Sequence, residues 1–427
     1  MDDSFSRRGF LKNATLAMAP AVLPALGANS RLRIGWIGAG ARGYHCMNQL
    51  YLGSGPLVEV TAVCDTYQGW LNRAVSRVQS MGKNTPKTYV DYRDLLADSN
   101  VDAVVVSTPE HLHFSMTLAA IQARKHIYVE KPLAHTIEEG AALVKAAEAA
   151  SVVVQVGTQN RSNKLYLRAR EMYQNGDIGE VHYVRAFWYR NFPDRSGIPA
   201  AWRYVIPEDA APNNTDWERF LGPAPKRPWD KRRYYQWRNY WDYSGGISTD
   251  LLVHQTDISN FVLGKTVPVA CMASGGIYQW GPPDDREVPD TLSAIYEYPD
   301  RFHLNYSCFF GNEQFGYGEE FMGYEGTIMV YNRQDLHFYP EKFGGRAPAK
   351  VKARPEVHLN YLKDFNQQDS TADHFKNWIQ AIRGEAKAIT PARAGQVAAI
   401  SGHLATLSFR KGKKILWDPK AEQYRFT

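Results

Sequence analysis

The chain has 427 residues, a formal net charge of +6 and four cysteines, and 22% of its residues are charged. That length suffices for two domains with real cores. Lysine and arginine are spread along the chain rather than gathered, and the short patches Arg232-Arg233 and Lys411-Gly412-Lys413-Lys414 read as solvated faces, which argues against a nucleic-acid partner. Cys46, Cys64, Cys271 and Cys308 have neither a Cys-x-x-Cys motif nor metal-ligand spacing, so no metal is expected.

The first thirty residues read as a targeting segment, not as fold. Ser6-Arg7-Arg8-Gly9-Phe10-Leu11-Lys12 precedes a mildly apolar run, Ala14 to Ala28, broken by Pro20 and Pro24. The run is shorter than the ~20 residues of a membrane span, and Ala25, Gly27 and Ala28 are small enough for a cleavage site. The pattern resembles a twin-arginine (Tat) export signal, which implies a periplasmic or otherwise exported protein. No later stretch is apolar enough to span a bilayer, so stable membrane insertion is not expected.

Leu32 to Asp65 is the stretch around which the rest of the chain is organised. A short apolar strand leads into Gly38-Ala39-Gly40-Ala41-Arg42-Gly43, then an amphipathic segment, then a second strand ending on Asp65. This is the order of a dinucleotide-binding unit. Gly38 allows the tight turn, Gly40 leaves room for a pyrophosphate, and Gly43 lets the helix pack close to the sheet. With Ala41 and Arg42 they open a helix whose free N–H groups face the phosphates. Asp65 suits the adenosine ribose hydroxyls and repels a 2′-phosphate, and Thr66 and Tyr67 supply no cation. The expected cofactor is therefore NAD, with NADP disfavoured.

Strand and helix patterns alternate to Gln155: strands at Val58–Cys64, Lys87–Val90, Ala103–Ser107, Ile127–Val129 and Val152–Gln155, with helices at Tyr44–Leu52, Gly69–Met81, Tyr92–Ala97, His113–Ala123 and Ile137–Ala150. Thr136 and Glu139 are spaced as a capping box. The expectation is a doubly wound parallel sheet, a Rossmann domain over residues 31–155. Two strand ends carry unusual residues: Thr108-Pro109-Glu110-His111-Leu112-His113 and Glu130-Lys131-Pro132. Ligands bind beyond such ends, so Thr108, Pro109, His113, Glu130 and Lys131 are expected on the cofactor. Here the chain resembles the Gfo/Idh/MocA family of oxidoreductases. The resemblance implies that Lys131 is catalytic and that Glu130 and Pro132 shape the loop beside the nicotinamide.

After Gln155 the pattern changes. Gln159 and Arg161 lie just past a strand end and are placed to reach substrate or cofactor, or else belong to a loop that links domains. From Phe187 to Tyr243 there is little periodicity but many aromatics, Trp188 among them, interleaved with Arg190, Arg195, Arg203 and Arg238. Aromatic faces with arginines suit carbohydrate, and Trp188 and Arg161 are taken as substrate-binding. The alternative is a packed insertion or an oligomer contact. Ser244-Gly245-Gly246 then precedes Asp250 and His254, four apart and hence on one helical face, with Asp257 following. The family resemblance implies that Asp250 and His254 are catalytic. A metal reading lacks a third clustered ligand.

Val267 to Tyr339 reads as β-rich, and helices near Thr371–Ile382 and Pro391–Ser408 close the chain. Residues 156–427 are thus expected to form an α+β domain with a mostly antiparallel sheet that binds substrate and carries a homo-oligomer contact. The expected activity is nicotinamide-dependent oxidation of a secondary hydroxyl of a sugar, glycoside or polyol, with tightly held cofactor. His254 would be the base, Lys131 would stabilise charge on the reacting oxygen, and Asp250 would bind a neighbouring hydroxyl or orient the imidazole. A redox-assisted glycosidase or lyase and a non-catalytic carbohydrate-binding protein are the competing readings. Lys131 favours the first of the three.

Overall fold

The computed structural model describes residues 31–192 and 201–427. The Arg7-Arg8 segment, its cleavage region and Arg195 lie outside the described residues. Six strands, β1 (Leu32–Ile37), β2 (Val58–Cys64), β3 (Lys87–Tyr89), β4 (Ala103–Val106), β5 (His126–Val129) and β6 (Val154–Val156), form a parallel sheet in the order β3-β2-β1-β4-β5-β6. The four residues of β4 are all buried, as an all-apolar run between two helical layers must be. One face packs against α1 (Ala41–Ser54) and α2 (Gln68–Gly82); the other packs against α3 (Tyr92–Ala97), α4 (Glu110–Gln122) and α5 (Ile137–Ala149). Thr136 caps α5, accepting the Glu139 N–H on Oγ1 at 3.1 Å, the N-cap half of the expected box. Two helix starts lie earlier than the apolar pattern indicates, at Ala41 and Glu110, because polar first-turn residues carry no periodic signal. The segment Glu110 to His113 is therefore helical.

After α6 (Lys164–Gln174), β7 (Val181–Tyr189) enters a second sheet. Trp188 therefore lies within a strand, paired with Cys308 and Tyr317, and does not belong to an irregular stretch. Among its described residues, the segment to Tyr243 contains two short α-helices, α7 (Trp217–Leu221) and α8 (Lys231–Tyr235), and a 3₁₀ turn at Trp237–Asn239. A widened π turn, Ser248–Leu252, then leads into α9 (Val253–Leu263). The remaining strands are β8 (Ala270–Gly276), β9 (Thr291–Glu297), β10 (His303–Phe309), β11 (Tyr317–Gly323), β12 (Gly326–Tyr331), β13 (Asp335–Pro340), β14 (Val357–Asn360), β15 (Ile415–Asp418) and β16 (Gln423–Phe426). The sheet has ten strands in the order β14-β13-β12-β11-β7-β10-β9-β8-β15-β16. Among the described residues only its β7–β10 pair is parallel. Alternation along β9 sends Leu292, Ala294 and Tyr296 inward, where α6, α9 and a last long helix cover them, and leaves Ile295 and Glu297 outside.

Three helices come after β14: α10 (Tyr361–Phe365), α11 (Thr371–Ile382) and α12 (Ala392–Lys411). The chain crosses back through α11 onto the first sheet. Gly53 of α1 is required there, since a Cβ on it would lie 2.3 Å from the Ala372 carbonyl oxygen. Phe375 stacks on Tyr128 of β5 with ring centroids 4.3 Å apart, and Trp378 meets the same ring edge-on at 5.8 Å. With Trp36 these side chains complete one face of the parallel sheet's core. Phe375→Ala is expected to lower stability by about 3–5 kcal/mol. Denaturant unfolding should keep one cooperative transition at a lower midpoint; an unchanged midpoint would show that α11 is not part of that core.

Candidate active site

A cleft of ≈ 1650 Å³ runs from the carboxyl ends of β1, β2, β4 and β5 to the near edge of the second sheet. That exceeds the ~300–1,000 Å³ of a drug-sized pocket. At one end the backbone of Gly38 has φ +89°, and a Cβ there would come within 2.8 Å of the Ser107 carbonyl. A Cβ on Gly43 would lie 2.1 Å from the Gly38 oxygen, so α1 sits directly on the turn. A Cβ on Gly40 would meet nothing nearer than the Trp70 indole nitrogen at 4.0 Å, so the loop borders open space. Asp91, Thr136 and Asn163 cap α3, α5 and α6 with side-chain oxygens, but α1 has no side-chain cap and no acid in its first turn. The N–H groups beginning at Ala41 and Arg42 are thus left for an anion.

Asp65 stands at the end of β2 and accepts the Ala39 N–H at 2.7 Å, the Tyr67 N–H at 2.9 Å and the Tyr234 hydroxyl at 3.3 Å. Burial pushes its carboxyl up, against those donors. A phosphate cradle followed by a ribose-side carboxylate fits NAD. Gly38, Gly40, Ala41, Arg42 and Gly43 would hold the pyrophosphate, and Asp65 the adenosine ribose. Arg42 is paired with Glu130 at 3.0 Å. Arg73 donates to the Ala39 carbonyl at 2.9 Å and stacks on Trp70 at 4.1 Å. Neither arginine is free to meet a 2′-phosphate.

Thr108 and Pro109 line the cleft as expected. His113 borders it, but both its ring nitrogens face carbonyls, of Pro132 at 2.7 Å and Thr108 at 2.9 Å. It fastens two loops together instead of reaching a ligand.

Lys131, just past β5, extends across the cleft to the second half of the chain. Its Nζ donates to Asp250 Oδ1 at 2.8 Å and to the Asp250 carbonyl at 2.6 Å. Arg238 donates to the same Oδ1 at 3.1 Å. The carboxyl of Asp250 is buried, yet these two cations hold it well below the usual carboxylate range. Asp250 and His254 do share one face, through the π turn, a feature concentrated at functional sites. His254 is 5% exposed, and its ring centroid lies 6.1 Å from that of Trp188. Burial, then the charges of Arg333 and Lys131, lower the imidazole's pKa well below its ordinary value. Asp250 is bound to Lys131 and Arg238, not to the imidazole, so it does not orient His254.

Arg161 does not reach the cleft. Its Nη2 donates to Asp257 at 2.7 Å and its Nε donates at 3.0 Å, a pair closed beneath α9. Gln159, two residues earlier, lines the cleft instead. Three further residues matter. Arg238 stands out from the other arginines of its aromatic stretch only through this contact with Asp250. Glu110 accepts the Gly245 N–H at 3.0 Å and the Ser244 and Thr249 hydroxyls at 3.1 and 2.7 Å, fixing the turn that carries Asp250. Arg333, in the β12–β13 hairpin turn, gives no sequence signal of its own.

The aromatic insertion forms the wall facing Asp65. Tyr67 and Thr215 form a β-bridge, the Asp216 N–H donates to the Thr66 carbonyl at 2.7 Å, and Tyr234 and Thr66 share a hydroxyl contact at 2.8 Å. His111 donates from Nε2 to the Phe220 carbonyl, 2.8 Å away. Most of the aromatics, including Trp217, Phe220, Tyr240 and Tyr243, pack into one buried cluster around Tyr67. The stretch is a packed insertion, and Trp202, Tyr204 and Trp237 on it line the cleft. Away from the cleft, ligand atoms of Asp335, His337 and His358 lie within 4.8 Å of one another on the outer sheet face. The His337 and His358 rings are stacked at 16°, so their in-plane lone pairs run side by side and do not converge.

The family model described as an oxidoreductase family with an NAD-binding Rossmann fold matches residues 32–158, and that for its C-terminal alpha/beta domain matches residues 225–416. A glycosyl hydrolase family 109 protein of Shewanella sp. (strain W3-18-1) is 33% identical over 159 residues, 36% of this chain and 34% of that protein. The chain thus spans about a third of the length of the curated relatives it matches. Among solved structures, levoglucosan dehydrogenase with NADH and levoglucosan superposes with a TM-score of 0.66 at 18% identity, covering 90% of this chain and 99% of that one. The WlbA dehydrogenase of Bordetella pertussis, with NADH and UDP-GlcNAcA, gives 0.68 at 20% identity over 91% and 99%. The matched models fall on the two sheets that enclose the cleft, and the chain belongs to the Gfo/Idh/MocA oxidoreductase family.

Proposed function

We propose that the protein is an NAD-dependent oxidoreductase acting on a secondary hydroxyl of a sugar, glycoside or polyol. The observation that carries this reading is the convergence of Lys131, Asp250 and His254 in one cleft with the uncapped glycine-rich turn. When bound, NAD supplies the hydride acceptor. The chain's own residues manage the proton and the charge. His254 is neutral at physiological pH and takes the hydroxyl proton. Lys131, held in place by Asp250, donates to the reacting oxygen and stabilises negative charge on it. Asp250 directs only Oδ1 to its two cations, and Oδ2 is left to accept from a neighbouring hydroxyl.

His254→Ala and Lys131→Ala are each expected to lower turnover by about 10²–10⁴-fold without loss of fold or nucleotide. Because the folded pKa of His254 is depressed, the base form persists as pH falls. The acid limb of kcat/KM should therefore have its midpoint below the ordinary histidine value of 6.5. Near-parental turnover in both variants, or a limb at or above that value, would sink the assignment.

The 33% identity to glycosyl hydrolase family 109 proteins favours a second reading, redox-assisted cleavage of a glycoside. Product mass after incubation with a glycoside panel separates the two: a keto-glycoside supports oxidation, and free aglycone with unoxidised sugar supports cleavage.

We infer further that the protein is exported folded, on the Ser6–Lys12 pattern, and that it takes its cofactor along. Free NAD is a cytoplasmic metabolite, and the insertion bonded across Thr66 and Tyr67 supports retention. Purified protein is expected to carry nucleotide near one per chain, mostly NAD, and to give a burst of bound NADH with one substrate. An added ketone or acceptor sugar should restore the oxidised form. Protein that purifies empty and turns over only with added NAD would decide against this.

The outer face of the ten-stranded sheet exposes Met272, Ile295, Met322 and Tyr339. We propose that it mediates self-association. Light scattering is expected to give at least a dimer, and Ile295→Lys should lower the mass; a monomeric parent would refute it.

A further inference from the structure

The substrate end of the cleft holds more positive charge than hydroxyl oxidation requires. Lys131 and Arg238 share the single carboxylate of Asp250. Arg190 and Arg333 both flank Trp188, with guanidinium carbons 4.8 and 5.1 Å from the ring, and neither forms an ion pair among the described residues. Two buried acids lie near, but neither balances the surplus. Glu110 is taken up by Ser244, Gly245 and Thr249, and Glu319, which feels the Arg333 charge, accepts the Tyr166 hydroxyl and forms no ion pair with Arg333 among the described residues.

Arg333 is the anomaly. Its Nε and Nη2 are buried and have no hydrogen-bond partner among the described residues. Its backbone is left-handed, φ 60°, as is that of Asn332 at 49°, and the Asn163 side chain donates to its carbonyl at 3.1 Å. Asn332 and Arg333 are thus the central pair of a hairpin turn, closed by the Gln334 N–H donating to the Tyr331 carbonyl at 2.8 Å, that sets this guanidinium against Trp188 and Tyr317. Arg333 and the proposed base His254 both line the cleft and both lie against Trp188, at 5.1 and 6.1 Å from its ring. A buried guanidinium without a partner is destabilising by itself. The planar N–H fork of arginine matches a carboxylate with two parallel bonds.

We propose that Arg333, backed by Arg190, binds a carboxylate on the substrate, so that the sugar oxidised in this cleft is a sugar acid of the uronate class. Trp188, 2% exposed and stacked on Tyr317, backs the two arginines and leaves the sugar no open ring face, so its part is to position them and not to stack on substrate. The assignment rests on the reading of the cleft as a hydroxyl-oxidising site.

Calorimetry on nucleotide-loaded protein tests it with matched pairs: methyl β-glucuronide against methyl β-glucoside, and the corresponding galactose pair, with glucose 6-phosphate as a second anion. Cofactor absorbance is recorded on the same samples. At least one uronide is expected to bind about ten-fold or more tighter than its neutral twin. Arg333→Gln should weaken that uronide by about 10–100-fold and leave the neutral sugar within a few-fold; Arg333→Lys should recover part of the loss. Equal binding within every pair, no binding at all, or equal weakening of acid and neutral sugar in Arg333→Gln would overturn the proposal. So would a preference for the phosphate over both uronides. A uronide that binds through Arg333 without reducing the cofactor would leave the carboxylate site standing and refute the oxidation reading. A neutral glycoside that reduces the cofactor with no preference for the acid would do the reverse.

Discussion

The site depends on one buried charge cluster, Lys131 with Asp250 and Arg238. Its members come from three places: the end of β5, the π turn before α9, and the aromatic insertion. Taking such charges out of water costs several kcal/mol per ion, and only close geometry and extra hydrogen bonds offset that cost. Here Lys131 also bonds the Asp250 backbone carbonyl, and Glu110 fixes the Ser244–Thr249 turn from the opposite side. The relative placement of the two sheets is therefore specified by polar contacts as well as by packing. An ammonium locked against a carboxylate keeps its direction, which is what a donor to a reacting oxygen needs.

The parts of this arrangement that are legible in the sequence are local or fixed in spacing. Gly38, Gly40, Gly43 and Asp65 succeed one another within a single strand-helix-strand unit, and alternating apolar runs reveal a parallel sheet without any partner. Lys131, Asp250 and His254 are legible through motif resemblance, and the π turn then brings the last two to one side. Arg161 is misplaced by sequence reasoning because its true partner, Asp257, lies 96 residues away, and no local pattern announces an ion pair of that kind. His113 is misjudged for a related reason: its contacts are backbone carbonyls, which sequence does not display.

Strand β11 falls within the β-rich stretch although Glu319 and Glu320 interrupt its apolar alternation. The first is buried beneath Tyr166 and the second is paired with Arg185. Strand β14 pairs with β13 across residues 341–356, a loop rich in glycine, proline and lysine, and so falls outside the β-rich stretch that ends at Tyr339. The aromatic insertion has two plausible uses, and tertiary structure divides it between them. Rings facing Tyr67 make a small core of their own, while a few side chains turn toward the cleft. That division depends on which rings find apolar neighbours, and composition alone does not settle it.

The return of α11 onto the first sheet changes what counts as a module in this chain. By sequence the nucleotide-binding half ends near Val156, but Phe375 and Trp378 fill the core beside Trp36 and Tyr128, and Gly53 is shaped for the Ala372 backbone. A fragment cut after β6 would open that aromatic surface to water and lack a helix from one face of its sheet. Exchange of the two halves between relatives would meet the same obstacle unless α11 travelled with the N-terminal piece. Gene and structure thus draw the line in different places, and a chimera has to respect the structural one.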